Sequence, residues 1–192
     1  MSPTEPHKPP GAGKSSFDLL DPAALWVALD LPQGITLLDL GCGPGHYALA
    51  AADLVGPNGL VYAVDLWEEG IATLKERAAQ EGRGNLKALV AAAGRLPLED
   101  ASVDVGFLAT VLHDLVEDET ATGALEELAR VLKPGARLAI VEFEKIDGPP
   151  GPPRRIRLDP GEVAALVAPY GFRREKTVKV GPYNYLITFA KL

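Results

Sequence analysis

Leu37-Leu38-Asp39-Leu40-Gly41-Cys42-Gly43-Pro44-Gly45-His46, with Asp65 closing Val61-Tyr62-Ala63-Val64-Asp65 twenty residues beyond Gly45, decides how this 192-residue chain is read. The apolar run Ile35 to Leu40 has the pattern of a strand buried on both faces, and Tyr47 to Val55 carries apolar residues at helical spacing. Three glycines occupy the join. Glycine there permits positive φ and lets a ligand approach backbone that a Cβ would shield, while the first-turn amides of the helix attract a carboxylate or phosphate. Asp65, at the end of the next strand, is placed to accept hydrogen bonds from the two hydroxyls of a ribose lying across the sheet edge. An N-cap for the following helix is its alternative role, and the two are compatible. The stretch therefore describes a site for an anionic group attached to a nucleoside.

Dinucleotide enzymes use the same turn with the pattern GxGxxG, whereas the pattern here is GxGxG and His46 stands at the would-be third glycine. Asp39, two residues before Gly41, is a poor neighbour for a doubly charged pyrophosphate but suits a ligand that also carries a cation. S-adenosyl-L-methionine combines an ammonium, a sulfonium, a carboxylate and a ribose. Asp39 either holds its ammonium, directly or through water, or bonds the amides of the glycine loop.

Leu38 to Gly45 resembles motif I of the class I S-adenosylmethionine-dependent methyltransferases. Arg95-Leu96-Pro97-Leu98-Glu99-Asp100-Ala101-Ser102-Val103-Asp104 resembles the segment leading into the fourth strand of that family. Arg130-Val131-Leu132-Lys133-Pro134-Gly135-Ala136-Arg137-Leu138 is similar to its turn from helix into the fifth strand. The likeness extends from about Phe17 to the C-terminus and is nearest to the small methyltransferases of the ubiquinone/menaquinone-biosynthesis group. It implies an α/β fold: a Rossmann-like three-layer sandwich with a mostly parallel sheet and an antiparallel C-terminal strand. It also implies a methyl-donor site made of Asp39, Leu40, Gly41, Cys42, Gly43, Gly45, Asp65 and Leu66, with Ala92 and Ala93 at the adenine edge and Ala109 and Thr110 near the methyl group. Family members often carry an acid after strand three, and Ala91-Ala92-Ala93-Gly94 offers only backbone there.

Composition is compatible with such an enzyme. The length suits one domain, and the formal charge of −7 with a pI near 5.0 gives no basic field for a nucleic acid. A small-molecule acceptor is the expected partner, with no membrane insertion; the oligomeric state is left open. One cysteine excludes an internal disulfide or a cysteine-based zinc cluster, and no metal is expected. A signal-peptide pattern is missing at the N-terminus, so the expected location is cytoplasmic.

Residues 1–16 are rich in Pro, Gly, Lys and Ser, lack apolar periodicity and read as a flexible tail, leaving 17–192 as the methyltransferase domain. Gly11-Ala12-Gly13-Lys14-Ser15 resembles a phosphate loop only superficially, since Lys8 stands where its first glycine belongs. Asp21-Pro22 begins a short helix carrying Leu25, Trp26 and Leu29. Further helices are expected over 68–81 and 119–132, and strands over 86–92, 103–109 and 136–143. Residues 144–157 are too proline-rich for either. Asp159-Pro160-Gly161-Glu162 restarts a helix with a capping box, and strands over 176–180 and 185–192 close the chain.

His113, just past strand four, is the candidate catalytic residue, as a general base toward the acceptor or as a supporting hydrogen-bond partner. Cys42 reads as a small filler. Glu142, Glu144, Tyr183 and Tyr185 are candidates for the acceptor side, with rim charges and packing aromatics as the plainer alternatives. Arg154, Arg155 and Arg157 are a cluster that either orients an anionic acceptor or solvates a loop. Beside methyl transfer stand two other readings: a binding module that has lost transfer, and a dinucleotide oxidoreductase.

Overall fold

The computed structural model describes residues 13–192; the expected tail up to residue 12 lies outside them. Strands β1 (Thr36–Leu40), β2 (Leu60–Asp65), β3 (Leu86–Val90), β4 (Val103–Ala109), β5 (Leu132–Phe143), β6 (Phe172–Lys179) and β7 (Asn184–Lys191) form one sheet in the order β3-β2-β1-β4-β5-β7-β6. All pairings are parallel except those of β7, which runs antiparallel to both neighbours. The final hairpin thus inserts its second strand between β5 and β6. Strand order reverses between β1 and β4, and ligands of open α/β sheets bind at the carboxyl ends of strands at such a point.

The strands alternate between two cores. In β1, Leu37 joins the core under α1 (Pro22–Leu29), α2 (His46–Val55) and α3 (Glu68–Gln80). Leu38 and Leu40 face the opposite core, built with α4 (Leu112–Glu117), α5 (Ala121–Val131) and α6 (Pro160–Val167). These three layers are the sandwich expected. Asp39, by the same alternation, lies on the α2 side.

Local signals act where they were read. Asp21 accepts from the Ala24 amide at 3.1 Å with Pro22 at the first helical position, and Asp159 and Glu162 complete a reciprocal capping box. The helix expected over 119–132 is α5, and α4, which the sequence reading did not expect, precedes it; Glu119, with a left-handed φ of 58°, lies in the turn between them. Strand β5 starts at Leu132, which pairs with Val103 before a register shift, so Lys133-Pro134-Gly135 is a break inside the strand. Strand β6 starts at Phe172: its charged run Arg173-Arg174-Glu175-Lys176 lies on a sheet edge, where charge discourages pairing with another chain and also hides the period-two pattern. No helix among the described residues is long and apolar enough to cross a membrane.

Candidate active site

A cavity of about 810 Å³ opens over the carboxyl ends of β1, β2 and β4. Leu40, Gly41, Cys42, Gly43, Asp65 and Leu66 line one side of it. Gly41 has φ +74°, and a Cβ there would fall 2.6 Å from a Val111 methyl. Gly43 has φ +51° with only the Lys14 carbonyl near its Cβ position, at 3.6 Å, so its missing side chain leaves open space. Gly45 brings no side-chain cap to α2. Asp65 ties the loop to β2: its Oδ2 accepts from the Gly43 amide at 2.8 Å and its Oδ1 from the Trp67 amide at 2.9 Å. Each carboxylate oxygen keeps a further lone pair for a ligand hydroxyl.

Asp39 lies behind the loop, 1% exposed, and does not line the cavity; nor does Gly45. Burial, then the charge of Asp65, pushes its carboxyl up to about 8, against the pull of the Ala48 amide. Its Oδ2 is buried without a hydrogen-bond partner among the described residues. A buried carboxylate in that condition fits a ligand bringing positive charge and donors, which an ammonium does and a pyrophosphate does not. Cys42 is buried, and burial followed by the charges of Asp39 and Asp65 pushes its thiol well above the usual range. It is a thiol filling space, as the sequence reading had it, and a poor nucleophile.

At the expected adenine edge Ala91 and Ala93 line the cavity, while Ala92 is exposed and does not. Strand β3 ends at Val90, so the three alanines follow it as loop and Ala92 turns away from the cavity. Leu66, 54% exposed, remains as an uncovered apolar surface beside Asp65.

Across the cavity stand Ala109, Thr110, Val111, His113 and Phe143. Thr110 has φ +56°, which for a β-branched residue stores strain at the strand end. Neighbours hold it there: its amide donates to the Val141 carbonyl at 2.8 Å and its hydroxyl lies 3.0 Å from Ser16 Oγ. Ser16 is 4% exposed and also shares a 2.8 Å hydrogen bond with the Tyr47 hydroxyl. The tail boundary drawn at Ser16 therefore falls inside the folded part. Lys14 and Ser15, from the stretch set aside for its superficial phosphate-loop likeness, also line the cavity. No sequence pattern marks Ser16, because its partners Tyr47 and Thr110 lie 31 and 94 residues along the chain.

His113 is buried and its Nδ1 lies 2.7 Å from Glu142 Oε2. Burial opposes its charge, but the Glu142 carboxylate, with Asp114 and Glu117 beyond it, raises the imidazole above the ordinary histidine range. Glu142 itself is fully buried, so the reading of a solvated rim charge does not hold. Glu144, Tyr183 and Tyr185 do not line the cavity. Tyr185 belongs to the opposite core and donates to the Leu158 carbonyl at 2.7 Å.

The arginine cluster is divided. Arg154 and Arg155 are exposed and pair with Asp147 and Glu117. Arg157 is 1% exposed and donates to the carbonyls of Glu144, Gly148, Pro150 and Pro152 at 2.7 to 3.0 Å. A proline-rich segment lacks the amides to satisfy its own carbonyls, and the guanidinium fork supplies donors in their place. The segment so gathered brings Gly151, Pro152 and Pro153 against the cavity, with the Gly151 Cβ position 2.7 Å from the Phe143 ring. Arg157 neither solvates the loop nor is free to meet an anionic acceptor.

Residues 38–140 match the family described as "Methyltransferase domain". The chain is 34% identical over 123 residues to the demethylmenaquinone methyltransferase of Lactococcus lactis, covering 62% of this chain and 48% of that protein. It is 33% identical over 138 residues to the arsenite methyltransferase of Halobacterium salinarum, covering 72% of this chain and 34% of that protein. The chain thus spans about half or less of the length of these curated relatives. A crystal structure of a SAM-dependent methyltransferase from Aquifex aeolicus superposes with a TM-score of 0.84 at 32% identity, over 96% of this chain and 95% of that one. With motif, topology and relatives in agreement, the chain belongs to the methyltransferase-domain family of class I S-adenosylmethionine-dependent methyltransferases.

Proposed function

We propose that this protein binds S-adenosylmethionine along the glycine loop and transfers its methyl group to a small-molecule acceptor. The observation that carries this reading is one continuous cavity with two unlike halves: backbone and the Asp65 carboxylate on the β1–β2 side, largely apolar walls and a buried imidazole on the β4–β5 side. Such a volume accommodates a nucleoside amino acid with a small second molecule beside it.

On the donor side, Asp65 accepts from the ribose hydroxyls and the Gly41–Gly45 loop receives the methionine carboxylate. Asp39 offsets the ammonium through the loop, Leu66 and Ala93 cover the adenine with Ala91 in the place expected of Ala92, and Ala109 and Thr110 border the methyl group. S-adenosylmethionine supplies an electrophilic methyl carbon with a good leaving sulfide. The chain's own residues orient the two reactants and exclude water; bringing them to near-attack distance lowers a barrier by ~7 to 11 kcal/mol. The acceptor lies over Thr110, His113 and Phe143 against Pro152 and Pro153. A metalloid such as that named for the Halobacterium relative suits this cavity poorly, because soft acceptors want several thiolates and Cys42 is a lone buried thiol. Its net acidic charge, which offers no field for a nucleic acid, and this cavity support small-molecule acceptors, and we read the protein as a cytoplasmic one.

The test is calorimetry with S-adenosylhomocysteine. Binding in the micromolar range is expected, weakened at least about tenfold in Asp65→Ala by loss of a charge-assisted hydrogen-bond pair. Wild-type protein that takes up neither S-adenosylhomocysteine nor S-adenosylmethionine would sink the reading.

A further inference from the structure

We infer that Glu142 is a positioning residue that fixes the tautomer of His113, leaving Nε2 as the proton acceptor for a hydroxyl-bearing acceptor that arrives neutral. The inference rests on the donor-site reading above and adds to it the half of the reaction that reading leaves open.

The argument is geometric. Glu142 is 0% exposed, yet it is not alone: Oε1 accepts from the His113 amide at 3.1 Å, and Oε2 from the Phe143 amide at 3.3 Å. Each carboxylate oxygen thus accepts from a backbone N–H group. His113 Nδ1, at 2.7 Å from Oε2, must then be the donor. A neutral imidazole carrying its proton on Nδ1 has its lone pair on Nε2. His113 lines the cavity, and its Nε2 lies 3.4 Å from Asp114 Oδ1, a looser approach than the 2.7 Å between Nδ1 and Glu142 and one that pairs the two groups once the ring is charged. Nε2 therefore carries the lone pair, and a proton arriving there is met by the Asp114 carboxyl group.

The charged groups around the ring favour that step. Glu142 faces it from β5, and Asp114 and Glu117 from α4; all three are acids. On the remaining side the Phe143 ring stands 6.1 Å away, with the Arg157 guanidinium over that ring's other neighbourhood, 5.6 Å from its centroid. An imidazolium formed at His113 is held by carboxylates within a largely dry site.

Val111, Leu115, Phe143, Pro152 and Pro153 give the surrounding wall an apolar character, with the carboxyl groups of Asp114 and Asp118 at its border. This suits an acceptor with an apolar body and one hydroxyl. As the hydroxyl oxygen's lone pair takes the methyl carbon, its proton passes to Nε2, and the carbon–sulfur pair leaves with sulfur. The sulfonium becomes a neutral thioether, and the positive charge it loses reappears on the imidazolium, which returns the proton to water.

Two readouts test the inference. Long-range ¹H–¹⁵N NMR of the imidazoles, assigned with His113→Gln, reports the tautomer on the high-pH plateau of the ring's own titration, where the ring is neutral. The Nδ1–H form is expected in the wild type, lost in Glu142→Gln and kept in Glu142→Asp. An Nε2–H form in the wild type overturns the positioning role, and this measurement requires no ligand. The second readout is transfer of labelled methyl to 2-naphthol by enzyme saturated with S-adenosylmethionine. Turnover is expected to fall about 100-fold in kcat for His113→Gln with S-adenosylhomocysteine affinity unchanged. It should fall about tenfold in Glu142→Gln and be largely restored in Glu142→Asp. No transfer to the naphthol, or equal kcat in His113→Gln, overturns the proton-acceptor role, whereas failure of S-adenosylhomocysteine to bind would fault the donor-site reading instead.

Discussion

The two sides of the cavity are built by different means. On the β1–β2 side the working groups come from Asp39 to Gly45 and from Asp65 and Leu66, and the main contacts are backbone amides meeting a carboxylate from the adjacent strand. On the β4–β5 side the contacts that shape the wall join separate stretches of chain: His113 with Glu142, Thr110 with Ser16, and Arg157 with the carbonyls of a segment up to 13 residues earlier. The first kind of site depends on a short motif with the right φ angles. The second depends on long-range packing, so it can change its acceptor without disturbing the donor loop.

Substitutions that damage one side and spare the other test this difference. The largest effect is expected from Arg157→Met, which leaves four loop carbonyls without their donor; part of the loss is recovered by water, leaving about 4 kcal/mol. Denaturant unfolding should show the loss, and limited proteolysis should cut within 144–153, while S-adenosylhomocysteine still binds the folded fraction. Binding lost in parallel with loop protection would show that the halves are not separable.

Gly41→Ala should do the opposite at smaller cost, about 2 kcal/mol, from a left-handed φ of +74° and a Cβ 2.6 Å from Val111. Here calorimetry should register donor binding weakened more than tenfold, with the proline segment as protease-resistant as before. Unchanged affinity would mean that the loop tolerates a Cβ and that its glycines are not what admits the ligand.

Asp39→Asn separates stability from binding inside the donor half. Its folded carboxyl titrates near 8 against an ordinary 3.8, so between those values the folded protein retains a proton that the unfolded chain has released. Stability therefore falls as pH rises through that window. Removing the carboxylate should raise the ligand-free Tm above pH 8 by about 3 °C, on the order of 1 kcal/mol, and flatten its pH slope. Affinity for S-adenosylmethionine should fall. A Tm lower than wild type above pH 8 would mean that Asp39 is needed to hold the start of α2.

How much could be read beforehand follows the same division. The β1 turn, Asp65, the β4 strand and the Asp159 capping box are legible because each is a local rule: glycine where φ is positive, an acid at a strand end, a side-chain oxygen before a helix. Helix α4 was not legible because its six residues are too few to display a helical period. Strand β6 was shortened in the reading because an exposed edge carries charges where a buried strand would alternate. Ala92 was placed one residue away from the cavity wall because β3 ends before the alanines begin.

By itself the sequence determined the architecture, the family and the donor loop, since backbone conformation at a glycine turn is set by the residues of that turn. Tertiary structure alone decided the rest of the cavity. Parallel pairing of Ala109 with Val141 sets how β4 and β5 end beside one another, and that register brings His113 to Glu142 across 29 residues of chain. It also required Arg157 to leave the surface and hold the proline segment, and Ser16 to close against Thr110 and Tyr47. None of these contacts has a sequence signature, because each depends on which chain segments the folded sheet places side by side.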